Sequence, residues 1–195
     1  MSKMLAPDAE AAPAPEQKPA AYGKAAMTDL LEEIDWGSCE VLNAVSKDGI
    51  GRVAKQGMRD QAELLLQSDA DEQLLITVAF KSTTKVHSLQ IDGPDDGRAP
   101  KGVKLFVNCK ALGFDDAESR PAEQELELSL EQLGSRIELR FVKFQSVQTL
   151  SLFIHSNQDD GDVSALSGLR LWGAPVATTN MSEFKRVAGE KGEGE

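Results

Sequence analysis

Gly102-Val103-Lys104-Leu105-Phe106-Val107-Asn108 is the stretch whose pattern decides the fold. Val103, Leu105 and Val107 alternate with Lys104, Phe106 and Asn108, the period of a β-strand with two distinct faces. Leu126 and Leu128 alternate with Glu125 and Glu127 in the same way. Outward from these lie further short apolar runs at Gln73–Phe80, Lys85–Ile91, Ile137–Gln145, Thr149–His155 and Leu166–Trp172. Turn-rich segments separate them: Gly93-Pro94-Asp95-Asp96-Gly97, Gly113-Phe114-Asp115-Asp116, and Asn157 to Gly161. About seven short strands at regular spacing, with no long helical period, predict an all-β, antiparallel β-sandwich, jelly-roll-like in topology. One short helix is expected before them. Thr28 can cap it, Asp29 and Glu32 suit its positive N-terminus, and Leu30, Leu31 and Ile34 would be its buried face.

The chain of 195 residues is 41% hydrophobic and 27% charged, ordinary values for one globular domain with tails. Residues 1–26 hold four of the eight prolines and many alanines, and little that could be buried, so they read as a disordered leader. Residues 27–187 form the predicted domain and residues 188–195 a flexible acidic tail. The net charge is −11, and the leader contributes nothing to it, since its three bases balance its three acids. A surface this acidic repels phosphate backbones and anionic lipid, which argues against nucleic-acid and membrane partners and favours a partner with basic patches. No apolar run approaches the ~18 residues of a membrane span. The first residues lack the apolar core of a secretory signal, and two cysteines without such a signal point to a reducing compartment: the cytoplasm, with the nucleus as a second setting.

Enzyme chemistry finds no constellation. Cys39 and Cys109 lie about seventy residues apart, which removes a Cys-x-x-Cys redox pair. His87 and His155 sit singly in predicted strands, without metal-ligand spacing. No Gly-x-Ser-x-Gly elbow, phosphate-binding glycine loop or other cofactor motif is present. Acids cluster at Asp69, Asp71 and Glu72, at Asp95 and Asp96, at Asp115, Asp116 and Glu118, and at Asp159, Asp160 and Asp162. Calcium would need six to eight oxygens, and none of these clusters has EF-hand spacing, so turn formation and solvated charge are the simpler uses. Phe141, Phe144 and Phe153 are expected in the core. Trp36 and Trp172 suit either a core or an interface.

Ser68-Asp69-Ala70-Asp71-Glu72-Gln73-Leu74-Leu75 resembles the signature of the PITH family. The likeness continues through Gly93-Pro94-Asp95-Asp96-Gly97, Pro100-Lys101, Val103-Lys104-Leu105-Phe106 and Phe141-Val142-Lys143-Phe144-Gln145. It ends with Leu152-Phe153-Ile154, Asn157-Gln158 and Thr179-Asn180-Met181 with Glu183-Phe184-Lys185-Arg186-Val187. The resemblance implies a jelly-roll sandwich, a cytoplasmic and nuclear setting, and docking on the proteasome regulatory particle, here by a single-domain member without thioredoxin. A non-catalytic interaction module, monomeric on its own, is therefore expected. Its candidate contact residues are Phe184, Lys185, Arg186 and Val187, an aromatic anchor beside cations, and the acids Asp69, Asp71, Glu72, Asp95 and Asp96. The competing expectations are an adaptor or structural subunit of a cytoskeletal or ubiquitin-ligase assembly, and a sugar- or calcium-binding sandwich. Because residues 1–26 offer so little to bury, their deletion is expected to leave the melting temperature within about two degrees of the full chain in a calorimetric scan.

Overall fold

A computed structural model describes residues 27–46, 49–54, 65–109 and 111–176. The leader 1–26 and residues 177–195 lie outside the described residues. In chain order the elements are β1 (Thr28–Asp29), β2 (Glu40–Leu42), α1 (Gly49–Ala54), β3 (Leu66–Gln67), β4 (Leu74–Asp92), β5 (Gly102–Val107), α2 (Phe114–Ser119), β6 (Gln124–Glu127), β7 (Ile137–Glu138), β8 (Val147–Ile154), β9 (Ala165–Leu166) and β10 (Gly168–Pro175). Single 3-10 turns occupy Leu31–Glu33, Trp36–Ser38 and Phe141–Lys143.

Two of the expected strands are one. β4 joins Gln73–Phe80 and Lys85–Ile91 into a ribbon of 19 residues that serves two layers. Its first part pairs antiparallel with β2 and β8, and its second with β10 and β7. Between them Ala79 faces Thr149 and Thr84 faces Val147, so five steps on β4 match two on β8. That surplus, carrying exposed Lys81 and Ser82, lets the chain turn over from one layer to the other. One layer reads β2-β4-β8-β5-β6 and the other β1-β10-β4-β7, every pairing antiparallel. β3 and β9 pair separately.

The core follows the alternation. Leu74, Ile76, Val78, Val103, Leu105, Leu150, Leu152 and Ile154 from the first layer meet Val86, Leu89, Ile91, Leu169 and Leu171 from the second. Each fully buried side chain of this size contributes about 1.5–3 kcal/mol relative to exposure. A bulge shifts the register between Trp172 and Gly173, opposite His87, so that Val86 and Leu89 both reach the core although they differ in parity. Gly173 is required there, because a Cβ would strike the Lys85 carbonyl.

The outer face of the first layer is also apolar. Leu75, Phe106 and Phe153 form a second cluster with Leu112 and Ala117, and Phe114 meets Phe153 edge-on at 6.0 Å. The cover is α2, which occupies a segment the sequence assigns to a turn. This explains why Phe106 is fully buried on the face it shares with Lys104 and Asn108, while Phe153 is buried as expected.

The N-terminal helix is not formed as expected. Thr28 and Asp29 instead pair with Gly173 and Trp172 on the open edge of β10, leaving only one 3-10 turn. Asp29, not Thr28, supplies the local bond, its Oδ1 accepting from the Leu31 N–H at 2.9 Å. Leu30 and Ile34 are buried as predicted, whereas Leu31 is half-buried. The expected strand Ile137–Gln145 also stops early. After Ile137–Glu138 the chain coils into the Phe141–Lys143 turn, which buries Phe144 and leaves Phe141 at the surface. Phe153→Ala is expected to cost about 3–5 kcal/mol in urea denaturation, since it opens a cavity beneath α2.

Candidate functional site

Because β4 turns over, both of its ends come to the same end of the sandwich, and three loops meet there: 68–73, 93–101 and 155–164. Loop 155–164 binds the other two. Ser68 N–H donates to the Ser164 carbonyl at 2.9 Å and the Ser164 N–H to Ser68 Oγ at 3.0 Å. On the other side, Ala165 N–H donates to the Arg98 carbonyl at 2.8 Å and Asp159 N–H to the Gly97 carbonyl at 3.1 Å. Gly97 permits this approach, because a Cβ would fall on the Asp159 carboxylate. Asn157, 1% exposed, holds the loop internally: its amide donates to the carbonyls of Gly161 and Val163 at 2.7 and 3.0 Å. Gln158 ties it to the neighbouring strands through the carbonyls of Pro100 and Leu128, at 2.9 and 2.7 Å.

The acids divide into two kinds. Asp71 is structural: its Oδ1 accepts from Asn43 Nδ2 at 2.7 Å and from the Gln73 N–H at 3.0 Å. Asn43, with φ at 59°, returns a bond by accepting the Ala70 N–H at 2.9 Å. Asp96 is held by Arg98, which donates Nη2–H at 2.6 Å and Nε–H at 3.0 Å to its carboxylate. That bond holds the Asp96 carboxyl below its ordinary pKa. Asp69 and Asp95 are exposed and hold no side-chain bond among the described residues. Glu72 is half-buried. The structure therefore brings the two predicted acid clusters to one end, and adds Asp159, Asp160 and Asp162 between them. The predicted anchor Phe184, Lys185, Arg186 and Val187 lies outside the described residues.

Between the second and third loops is an open cleft of about 540 Å³, lined by Asp96, Arg98, Asn157, Asp159, Asp162 and Val163 with Gly97 and Gly161. Its one base is already paired with Asp96, so the field at its mouth is negative and suits cationic groups. No group of three or more His, Cys, Asp or Glu side chains converges to hold a metal among the described residues. His87 lies at the β4 bulge, where burial pushes its pKa down, and His155 packs beside Phe153 at 5.9 Å. Burial pushes the Cys39 thiol pKa up, the reverse of an activated nucleophile.

Asn43 and Arg98 were not singled out from the sequence. An Asn in a left-handed turn is a weak signal, and the reach from residue 43 to residue 71 is visible only in three dimensions.

Among solved structures the sandwich is similar to the CBM32-1 and CBM32-2 domains of Clostridium perfringens ZmpB in complex with GalNAc. That likeness covers 73% of this chain and 35% of that one, with TM-score 0.53 and 10% identity. A fucolectin from striped bass serum is similar at TM-score 0.54 and 10% identity, over 76% and 50% of the two chains. These likenesses define the fold class: a jelly-roll-like β-sandwich. Within that class, the PITH domain profile matches residues 20–189. Thioredoxin-like protein 1 of Schizosaccharomyces pombe is 37% identical over 68% of this chain and 48% of its own. PITH domain-containing protein 1 of Homo sapiens is 31% identical over 73% and 65%, and the Drosophila melanogaster protein CG6153 34% over 66% and 61%. The chain thus spans about half to two thirds of the length of these relatives. It belongs to the PITH domain family, which is named for its domain and not for a catalysed reaction.

The division of the acids has a measurable consequence. Asp71→Ala is expected to lower stability by about 1–2 kcal/mol, because two donors lose a charged acceptor at the surface. Asp95→Ala should stay within about 0.5 kcal/mol of wild type in the same denaturation series.

Proposed function

We propose that this chain is a non-catalytic docking module of the cytoplasm and nucleus that binds the proteasome regulatory particle. The observation that carries the reading is the loop end itself. The family segments Asp69–Gln73, Gly93–Gly97 and Asn157–Gln158 converge there and build a rigid, acidic face. Their hydrogen bonds are spent on fixing loop shape, which lowers the ordering cost of binding. Exposed carboxylates on such a face steer encounter with a basic partner surface and set its register. Burial leaves the Cys39 thiol the reverse of an activated nucleophile, and no three metal-ligating side chains converge among the described residues.

Fold neighbours that bind sugar do not shift this reading, since the cleft has no aromatic side chain on which a sugar ring could stack. The family segment Glu183-Phe184-Lys185-Arg186-Val187 offers a second contact of different character, an aromatic anchor among cations, and anchors of that kind dominate binding energy.

With purified 26S proteasome at low salt, the full chain is expected to co-sediment with the regulatory particle. Asp69→Lys with Asp95→Lys should weaken that association about tenfold, with an unchanged melting temperature. Truncation after Met181 should weaken it more than Asp95→Asn with Asp96→Asn. A wild-type chain that fails to co-sediment overturns the proposal.

A further inference from the structure

We propose that the outer edge of β6 receives an extended segment of a partner protein, added antiparallel as a further strand, in which Lys or Arg alternates with apolar residues. The site does not depend on which assembly the acidic loops engage. Among the described residues β6 is the longest strand that pairs on one side only, with β5. Its phase on β5 fixes what the other side offers. Leu128 N–H donates to the Lys101 carbonyl at 2.8 Å, and Glu127 faces Gly102. In that register Val103 and Leu126 form the hydrogen-bonded pair, and the N–H and C=O groups of Glu125 and Glu127 point away from β5. These groups carry no hydrogen bond among the described residues, and both residues are exposed. Such a row of open donors and acceptors is what a strand from another chain pairs with.

The open stretch is bounded, and the core beneath it is incomplete. At one end Gln124 is buried, its Oε1 accepting from the Arg140 N–H at 2.8 Å. At the other Leu128 is buried, its carbonyl accepting from Gln158 Nε2 at 2.7 Å. Leu126 lies between them on the same face and packs on the same core, yet it is only half-buried. An apolar residue on an added strand, directly opposite Leu126, completes that burial. Charge identifies the neighbours of that residue. Glu125 and Glu127 form no ion pair among the described residues. Lys104, opposite Glu125 on β5, donates instead to the Glu118 carbonyl at 3.0 Å. Residues opposite the two acids on the added strand are their cross-strand neighbours, so cations are favoured there. A second copy of this chain is disfavoured, because pairing β6 with itself about Leu126 sets Glu125 against Glu127. The edge carries no Pro or Lys to block pairing, and its acids select by charge the strand that joins.

The probe is a fluorescein-labelled peptide in which Lys alternates with Leu and Val. It is titrated by fluorescence anisotropy against the full chain at about 0.15 M salt, where distant exposed charges are screened. Saturable binding is expected, and the Glu125 and Glu127 amides, open in the free chain, become protected from hydrogen exchange. In this register the Lys amides of the peptide face β6. Their N-methylation should therefore weaken binding at least ~tenfold, while N-methylation of the Leu and Val amides should leave it within about threefold. Glu125→Pro removes an outward N–H without touching the β5 ladder, and should weaken binding at least ~tenfold at an unchanged melting temperature. Glu125→Lys with Glu127→Lys should weaken it similarly, through charge. Asp69→Ala with Asp95→Ala should leave it within about twofold, so this site and proteasome co-sedimentation stand or fall separately. The proposal is overturned if the peptide does not bind, if both methylations have equal effect, or if both β6 variants bind like wild type. It is also overturned if binding is lost in Asp69→Ala with Asp95→Ala and kept in the β6 variants, which assigns the peptide to the acidic loops. Protection of the Glu125 and Glu127 amides in the chain alone means that its own basic segment or a second copy fills the edge, and overturns it too.

Discussion

The constraint on which the structure depends is that a single strand, β4, belongs to both layers. It pairs with β2, β8, β10 and β7, so both sheets share its register. A one-residue slip anywhere along it would reverse which side chains face the core. The turnover beyond Ala79 and the bulge at His87 are the two places where that register is deliberately broken. Each break lets the next hydrophobic residues return to the interior. The same turnover brings Leu74 and Asp92 to one end of the molecule, which is why the family segments before and after β4 can form one face.

That face shows how acidic residues divide between architecture and surface. Asp71 and Asp96 look equivalent to Asp69 and Asp95 in the sequence, since each pair lies in the same turn. In the structure Asp71 accepts from Asn43 and Gln73, and Asp96 from Arg98, while Asp69 and Asp95 are left to solvent. Loop shape is therefore fixed by one set of carboxylates and surface potential by the other. A substitution scan that mixed the two would confuse loss of folding with loss of docking.

Polarity is the other organising feature. The acidic loops lie at one end of the sandwich, and the Phe141–Lys143 turn, bonded at Val86 and His87, lies along β4 toward the other. The chain spans only part of its relatives' length.

Much of this was legible in the sequence. Alternation at Val103-Lys104-Leu105 and Leu126-Glu127-Leu128 determined strands with faces, and the turn segments determined where they end. The string Ser68 to Leu75 identified the family. Period-two patterning reports the local question of which face a residue takes, and that question needs no partner. The sequence could not distinguish a strand from a strand that turns over, and so read β4 as two. It offered Phe106 no second apolar face, because the α2 cover that buries it comes from residues 114–119. It also put Phe141 in a strand that the pairing of Val86 with Phe144 cuts short. Those outcomes, like the meeting of Asn43 with Asp71 and of Ser68 with Ser164, were decided by tertiary structure alone. They depend on contacts between residues far apart in the chain, whose energies no local pattern encodes.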